Sequence, residues 1–399
     1  MRKNLSVSMF VLFVAVLALS ACGPAATATP QTVVQTQVVV VTATPGPAAP
    51  ATATPLPVGS VQITGSGATF PLPLYTQWTY AYQFVDPSVV INYTGVGSGA
   101  GKTAIIAGTV DFAGSDSLLS DQNYTDGKDL QMYPMVAGAV VPVYNIAFKP
   151  VPTPEAGKTA IVLPKLILDR QTLVDIYNGV VTKWNDAKIV ALNPGLVDYL
   201  PDAAITTVHR SDGSGTTEIF TKSLTSFSAD WKAGGASSVE WPGKGLGGKG
   251  NAGVAAQVIA NPNSIGYVEL AYALSNGMSI SQLVNKAGDT ITANGASVQA
   301  AMADPAFTFT DKLTATIVDS GVKGAWPITG YTYIILHTTS MTDCVKAQKL
   351  LEFLQWAQTD SAAQSGATTL GYSVLPDAVR TSVLAKLAEL TCNGQPVMK

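Results

Sequence analysis

Short apolar runs alternate with segments of helical periodicity from about residue 61 to the end of the chain. Short apolar runs predict strands, and apolar positions three and four residues apart predict helices. The predicted strands are residues 61–64, 89–93, 110–113, 140–148, 205–208 and 332–336, and the predicted helices are 72–84, 102–107, 171–177, 217–225, 254–259 and 345–356. This alternation predicts an α/β body whose ligands bind where strands end and helices begin.

Three of the strand-to-helix connections are turns rich in Gly, Ser and Thr. They are Thr64-Gly-Ser-Gly-Ala-Thr-Phe-Pro71, Gly95-Val-Gly-Ser-Gly-Ala-Gly-Lys-Thr103 and Val208-His-Arg-Ser-Asp-Gly-Ser-Gly-Thr-Thr217. The first N–H groups of a helix are unpaired and carry partial positive charge, so such a turn can hold an oxyanion. Simple helix capping by Ser or Thr explains each turn taken alone. Three turns in one chain, one of them containing Arg210, favour an anion site.

The second turn superficially matches a nucleotide-binding P-loop. That pattern requires a glycine five residues before the glycine that precedes the lysine. Gly101 precedes Lys102, and position 96, where the glycine is required, is Val96. The spacing therefore argues against nucleotide hydrolysis.

Two charged residues give these turns a specific chemistry. The guanidinium of Arg210 can donate to two oxygens of an oxyanion. Asp116, which follows a predicted strand, would repel an anion unless it accepts a proton from it. Phosphate near neutral pH still carries a proton and sulfate does not, so Asp116 would select phosphate over sulfate. The alternatives are a helix cap for Asp116 and a surface ion pair for Arg210 or Asp212.

The first sixty residues are typical of a leader and a tether. Arg2 and Lys3 precede an apolar run over residues 9–19 that is too short to span a bilayer. The following Leu19-Ser-Ala-Cys22 resembles a bacterial lipobox, so we expect residues 1–21 to be a signal peptide and Cys22 to be lipidated. An ordinary signal peptide with an incidental cysteine is the alternative. Residues 22–60, with three Thr-Ala-Thr-Pro copies and no charged side chain, predict a tether.

Export and lipidation place the protein outside the cytoplasm, anchored to the cell membrane. Cys344 and Cys392 then remain as a pair in a compartment that permits disulfides, although two separate buried thiols are the alternative. The chain has only two histidines, His209 and His337, and no Cys/His cluster, so we expect neither a metal nor a cofactor.

The length and the charge of the chain restrict the number of domains and the classes of function that are possible. The 399 residues are enough for two domains, and 47% hydrophobic residues are enough for a folded core. The chain has 23 basic and 26 acidic residues, a formal net charge of −3, and removal of residues 1–21 leaves 21 basic residues and a net charge of −5. There is no basic excess for nucleic-acid binding.

The motifs in this chain resemble the phosphate-binding protein of bacterial phosphate ABC importers, the PstS type. The resemblance covers residues 61–376. It depends on an ordered series of motifs: Gly67-Ala-Thr-Phe-Pro71, Gly97-Ser98, Thr109-Val-Asp-Phe-Ala-Gly-Ser-Asp116, Asp175-Ile-Tyr-Asn-Gly179, Lys183-Trp-Asn-Asp186, Leu192-Asn-Pro-Gly195, Arg210-Ser-Asp-Gly-Ser-Gly-Thr216, Gly245-Leu-Gly-Gly-Lys-Gly-Asn251, Ile265-Gly-Tyr-Val-Glu269 and Ala325-Trp-Pro-Ile-Thr329.

The resemblance implies an α/β, two-lobed type II periplasmic-binding-protein fold with phosphate in the cleft between the lobes. Lobe I would comprise residues 61–143 plus 325–399, and lobe II residues 144–324. The implied phosphate-binding residues are Thr69, Phe70, Ser98, Asp116, Arg210, Ser214, Gly215 and Thr216, with Asp212 pairing with Arg210. Two departures are His209, where relatives often have a basic residue, and Gly99, where some have a second serine.

The function implied is capture of inorganic phosphate and its delivery to a membrane ABC permease by a monomeric, non-enzymatic protein. A binder of another tetrahedral oxyanion is the first alternative; Asp116 argues against sulfate, whereas arsenate is nearly isosteric with phosphate. A secreted phosphoesterase would need a nucleophile with a base or a metal cluster, and neither is evident. A surface adhesin or receptor would leave the anion-binding turns unexplained.

Overall fold

The computed structural model describes residues 60–153 and 159–398. The predicted leader, Cys22 and nearly all of the tether lie outside these residues. The strands of the described part are β1 (Val61–Gly67), β2 (Val89–Gly95), β3 (Phe112–Ser115), β4 (Leu130–Asn145), β5 (Ile167–Asp169), β6 (Thr206–Arg210), β7 (Leu246–Gly248), β8 (Ser264–Glu269), β9 (Ser279–Ile280), β10 (Gln282–Val284), β11 (Thr290–Ile291), β12 (Thr329–His337), β13 (Ser373–Val374), β14 (Thr391–Cys392) and β15 (Gln395–Pro396).

Helices cover much of the remaining chain, and none in the described residues is long and apolar enough to cross a membrane. They are α1 (Leu72–Tyr82), α2 (Ser98–Ile106), α3 (Asp121–Gly127), α4 (Arg170–Tyr177), α5 (Ala187–Leu192), α6 (Gly215–Phe227), α7 (Gly250–Ala260), α8 (Leu270–Ser275), α9 (Gly295–Met302), α10 (Cys344–Thr359), α11 (Ser361–Thr369) and α12 (Asp377–Ala388). The α/β class expected from the sequence is therefore confirmed.

The main sheet runs in the order β2-β1-β3-β12-β4-β8-β6-β7, with β9 and β13 pairing with β4. β2, β1 and β3 are parallel, and so are β8, β6 and β7. Each of these strands except β3 leads directly or by a short turn into a helix. Because parallel strands share their carboxyl ends, the sheet gathers several of these turns at the same edges.

Strand β4 joins the two halves of the sheet. Its residues up to Ala139 pair with β12, and from Val140 onward they pair with β8. The predicted lobe boundary at residues 143/144 therefore lies within a continuous strand, and the division into lobes stays a prediction. The contacts group Leu56–Lys399 as one unit.

The strand predicted at 140–148 is wrong in its bounds, because β4 begins ten residues earlier, at Leu130. Pro134 and Gly138 interrupt the apolar pattern there, and a proline cannot donate to a strand ladder. The structure accommodates Pro134 at a register shift: Thr332 of β12 pairs with Val136, and the next residue, Tyr333, pairs with Pro134. A register shift with one extra residue in a strand is a β-bulge. It interrupts the regular hydrogen-bond ladder, so the sheet accommodates the proline that has no N–H to donate.

The core lies on both faces of the sheet. Fifteen of the sixteen residues of β4 are buried, which is why its pattern shows no alternation. On one side Tyr82 of α1 packs edge-on against Phe353 of α10, with ring centres 5.1 Å apart. On the other side Phe220 of α6 stacks on Tyr267 of β8 at 4.2 Å. These layers fix the turns that begin α1 and α6.

The last part of the chain is linked to α10 by a disulfide. The sulfur atoms of Cys344 and Cys392 are bonded, and their Cα atoms are 5.4 Å apart. The bond closes a loop with a sequence separation of 48 residues. In chain-entropy terms such a loop contributes about 4 kcal/mol to stability by restricting the unfolded chain.

Candidate functional site

The first turn, between β1 and α1, is held by three tyrosines from distant parts of the chain. Tyr93 donates its hydroxyl hydrogen to the carbonyl of Ala68 (2.9 Å), Tyr272 donates to that of Thr69 (2.6 Å), and Tyr372 donates to that of Phe70 (2.7 Å). Three consecutive carbonyls thus face tyrosine hydroxyls. The N–H groups of Thr69 and Phe70 have no hydrogen-bond partner among the described residues, so they remain available as donors.

The second turn brings Ser98 to the start of α2, the helix in which residues from 102 onward were predicted to lie. Gly97 has φ +97°, and a Cβ there would collide with Oδ2 of Asp212. Only glycine therefore allows this close approach between the second and third turns. Ser98 is 1% exposed, and its N–H also lacks a partner among the described residues.

The third turn contains an ion pair that is buried on the Arg210 side. Nε of Arg210 donates to Oδ1 of Asp212 at 2.8 Å, and Nη2 donates to Oδ2 at 2.6 Å. The side chain of Arg210 is 1% exposed. Burial alone would raise the pKa of Asp212, but the hydrogen bonds and charge of Arg210 outweigh it and lower that pKa. Asp212 is thus ionised and fixes the orientation of the guanidinium.

Asp116 lies between the second and third turns. Its Oδ1 accepts from the hydroxyl of Thr332 at 2.8 Å, and its Oδ2 lies 3.4 Å from Oγ of Ser98. Burial raises the pKa of Asp116 to about 7, although the Thr332 hydrogen bond and the charge of Arg210 oppose the shift. This carboxyl group can therefore give up or accept a proton near neutral pH.

Three hydroxyl oxygens in this network already accept hydrogen bonds from two N–H donors each. Oγ of Ser98 accepts from the N–H groups of Asp116 (3.2 Å) and Gly215 (3.1 Å). Oγ1 of Thr69 accepts from N and Nδ2 of Asn251 at 3.1 and 2.9 Å. The third oxygen is Oγ1 of Thr216, and one of its two donors is Arg210.

Oγ1 of Thr216 accepts from Nδ2 of Asn251 at 3.1 Å and lies 3.4 Å from Nη1 of Arg210. A hydroxyl group has two lone pairs and one hydrogen. When both lone pairs accept, the hydrogen must be donated elsewhere. The hydroxyls of Thr69 and Thr216 are thereby prepared to act as hydrogen-bond donors to a ligand, whereas the hydroxyl of Ser98 donates to Oδ2 of Asp116.

Ser214 and Gly215 occupy the start of α6. Ser214 is the N-cap, and its Oγ accepts from the N–H of Thr217 at 3.0 Å. Its hydroxyl thus also stabilises the helix, as the capping alternative anticipated for such residues.

Taken together, these contacts bring Thr69, Phe70, Ser98, Asp116 and Arg210 to one place, together with Asp212, Ser214, Gly215 and Thr216.

Sequence reasoning missed several residues of this network. Asn251 links Thr69 to Thr216, and Tyr272 and Tyr372 hold the first turn, yet no role was predicted for them. Asn251 is the last residue of the Gly245–Asn251 motif, and its place in that motif is the one sequence signal that could have indicated a role at the site. His209, one of the two departures from the family pattern, stacks on Trp241 with ring centres 4.9 Å apart.

The described residues contain no group of three or more His, Cys, Asp or Glu side chains that could hold a metal ion. The donors at the site are N–H and O–H groups and one guanidinium. Such a set suits an anion, and Asp116, the carboxyl group that is not paired with Arg210, suits an anion that still carries a proton.

Comparisons with known proteins agree with the geometry. A "PBP superfamily domain" matches residues 27–361. The "Phosphate-binding protein PstS" of Xylella fastidiosa (strain Temecula1) is 40% identical over 79% of this chain and 82% of its own. That of Pasteurella multocida is 38% identical over 81% and 89% of the two chains, respectively.

A solved structure of a high-affinity periplasmic phosphate-binding protein (PfluDING), bound with phosphate at pH 8.5, has the same fold. It superposes with a TM-score of 0.63, covers 82% of this chain and 93% of its own, and is 22% identical. The expected type II periplasmic-binding-protein fold is thereby confirmed. From the family match and the identity to its relatives, this chain belongs to the PstS family of phosphate-binding proteins, within the PBP superfamily.

Proposed function

We propose that this protein captures inorganic phosphate outside the cytoplasm and delivers it to a membrane ABC permease. The proposal depends on one observation. Hydrogen-bond donors lie together around the buried Arg210, and beside them lies the carboxyl group of Asp116, whose pKa is about 7. The relatives named phosphate-binding proteins and the phosphate-bound structural neighbour support the same ligand.

In this proposal each group has a distinct task. Arg210 binds two phosphate oxygens while Asp212 holds its guanidinium in place. The N–H groups of Thr69, Phe70 and Ser98, and the hydroxyls of Thr69 and Thr216, donate to the remaining oxygens. Ser214 and Gly215 place the start of α6 against the anion, where the partial positive charge of the helix N-terminus stabilises negative charge.

Asp116 would supply the selectivity. As a carboxylate it accepts the proton that phosphate still carries, whereas it repels sulfate, which has no proton to offer. Because the site is buried, both the favourable hydrogen bond and the repulsion are stronger than they would be in water. Arsenate is nearly isosteric and protonated in the same way, so this chemistry would accept it.

Capture requires the two sides of the site to move apart and close again. Lobe I, residues 61–143 plus 325–399, would carry Thr69, Ser98 and Asp116, and lobe II, residues 144–324, would carry Arg210 and Thr216. Direct contacts between these sides, such as the N–H of Gly99 donating to the carbonyl of Gly213 at 3.0 Å, support a closed form. Phosphate contacting both sides would favour that form, because only differential affinity shifts such an equilibrium.

Calorimetric titration of the purified protein with phosphate, arsenate and sulfate tests the binding step. We expect phosphate and arsenate to bind and sulfate to give no measurable heat. Absence of phosphate binding would contradict the proposal, and equal affinity for sulfate would remove the role of Asp116. Phosphate uptake by cells that lack this protein, with and without complementation, tests delivery to the permease.

Membrane attachment is the remaining part of the proposal. Cys22, in the lipobox-like sequence, would carry the lipid, and residues 22–60 would tether the monomeric body to the membrane surface. A body tethered to the membrane surface can meet a permease in the same membrane without dissociating into the medium.

A further inference from the structure

Glu269 is a fully buried carboxyl group for which the binding mechanism above has no use. It ends β8, is 0% exposed and caps α8, because its Oε2 accepts from the N–H of Ala271 at 2.8 Å. Its Oε1 is buried and has no hydrogen-bond partner among the described residues. An ionised carboxylate with one oxygen unpaired in the interior would be costly.

Counting hydrogens at Tyr372 indicates the protonation state of Glu269. The Tyr372 hydroxyl lies 2.7 Å from the carbonyl oxygen of Phe70 and 3.0 Å from Oε2 of Glu269. A carbonyl oxygen can only accept, so the single hydrogen of the hydroxyl is donated to Phe70. The contact with Glu269 then requires a hydrogen from the carboxyl group itself.

The surroundings of Glu269 agree with a neutral acid. The titratable and charged groups around it are Tyr272 on α8, Tyr372, Asp116 after β3, and Arg210 on β6 beyond Tyr272. No lysine or arginine pairs with it among the described residues. Burial raises the pKa of Glu269 well above its ordinary value, and the negative charge of Asp116 raises it further.

The neutral acid is connected to the anion-binding turn through one residue. With its carboxyl hydrogen, Glu269 would donate to Tyr372 across their 3.0 Å contact, and Tyr372 donates to the carbonyl of Phe70, whose N–H group is one of the proposed phosphate donors. The backbone N–H of Glu269 also donates to Oδ1 of Asn251 at 2.9 Å, which orients the Asn251 amide toward Thr69 and Thr216. Loss of the carboxyl hydrogen would remove the first link and place a second negative charge near Asp116.

We propose that Glu269 is a positioning residue that remains un-ionised at neutral pH, holds the Phe70 turn through Tyr372, and makes phosphate binding fail at alkaline pH when it ionises. The proposal rests on phosphate being the ligand of this site. Its consequence is a release of phosphate under alkaline conditions that is independent of Asp116.

The test compares phosphate affinity, measured by calorimetry between pH 6 and 10, in the wild type, Glu269→Gln and Glu269→Ala. Gln can donate an N–H to Tyr372 but cannot ionise. We expect wild-type affinity to fall by tenfold or more at the alkaline end and Glu269→Gln to lack that fall. Glu269→Ala should bind about fivefold to tenfold more weakly than the wild type at neutral pH because one buried hydrogen bond is lost, and it should also lack the alkaline fall. Glu389→Gln, on the exposed surface, serves as the matched control and should behave as the wild type.

Two results would overturn the proposal: an identical alkaline fall in Glu269→Gln, or a wild-type affinity that is constant over the whole range. A second measurement needs no ligand. Infrared difference spectra of wild type minus Glu269→Gln at neutral pH should show the carbonyl stretch of an un-ionised carboxylic acid, and a carboxylate band in its place would disprove the neutral state. If the wild type fails to bind phosphate, the function proposed above fails, but this spectrum still decides the state of Glu269. Circular dichroism melting confirms that each variant is folded.

Discussion

Gly215 packs directly against Asp116, and no larger residue fits between them. A Cβ at position 215 would lie 2.5 Å from Cβ of Asp116 and 2.6 Å from its Oδ2. Glycine here permits the start of α6 to approach the carboxyl group and permits the Gly215 N–H to reach Oγ of Ser98 at 3.1 Å. The identity of one residue thus sets the distance between two sides of the site.

Gly215→Ala should therefore weaken phosphate binding. Overpacking of this kind costs about 1–3 kcal/mol, which corresponds to a loss of roughly fivefold to more than a hundredfold in affinity. Calorimetric titration measures the loss. Gly321→Ala is the matched control, since a Cβ there meets nothing within 4 Å. Equal affinity in both variants would show that the close approach to Asp116 is not needed for binding.

Asp116→Asn should reduce the discrimination of phosphate from sulfate. An amide cannot carry the negative charge that repels sulfate, and it offers an N–H that sulfate can accept. We expect phosphate affinity to fall and sulfate binding to become measurable in competition calorimetry. Asp126→Asn, an exposed aspartate on α3, is the control. Unchanged selectivity in the Asp116 variant would refute the proton-acceptor role.

The raised pKa of Asp116 also predicts how stability depends on pH. Its pKa is 3.8 in an unperturbed state and about 7 in the ligand-free protein. The folded state therefore favours the protonated form, and the contribution to stability is complete below pH 4 and lost as the pH rises through 7. The shift amounts to on the order of 4 kcal/mol. Urea unfolding of the ligand-free wild type should lose stability over this range relative to Asp116→Asn, and parallel pH profiles would contradict the shift.

Arg210→Ala should cost several kcal/mol of phosphate affinity. Removal of the guanidinium deletes a two-oxygen contact and leaves Asp212 as an unpaired, partly buried charge beside the anion. Arg210→Lys keeps the charge but not the planar fork, so we expect it to restore only part of the affinity. Arg380→Ala removes a surface ion pair with Asp377 and is the control. A loss below about 1 kcal/mol in Arg210→Ala would place Arg210 outside the set of phosphate contacts.

Cys22→Ser should release the protein from membranes. The serine cannot be lipidated, and the predicted tether has no apolar segment comparable with the leader. Fractionation of cells that express each form, followed by immunoblotting, measures the distribution. If the serine variant remains with the membrane pellet after a salt wash, lipid anchoring at Cys22 is wrong.

The sequence predicted the turns of the site well because their chemistry is local. Ser98, Arg210 and Thr216 each stand within a few residues of a strand end and a helix start, so turn composition and strand pattern indicated the turns that contain them, and the family resemblance then implied their individual roles. Some bounds were less accurate: the strand predicted at residues 205–208, for example, continues to Arg210.

The supporting network could not be predicted from such patterns. Tyr372 reaches Phe70 across 302 positions of sequence, and Asn251 reaches Thr69 across 182. Nothing local to Tyr372 distinguishes it from other tyrosines of the core. Strand β8, which ends at Glu269, was also missed, because the sequence around it gives a short apolar run with an internal glycine. Contacts of this kind depend on the fold as a whole rather than on neighbouring residues.

The shared strand β4 limits how phosphate can enter. The backbone of β4 is continuous, and it pairs with β12 up to Ala139 and with β8 from Val140 onward. The two halves of the sheet therefore cannot slide past each other or separate without breaking one of these hydrogen-bond ladders. The movement that costs the least free energy is a bend of β4 at the junction between Ala139 and Val140. Amide hydrogens of β4 on either side should therefore exchange slowly whether or not the anion is present, while those of the three glycine-rich turns should become protected only when it binds.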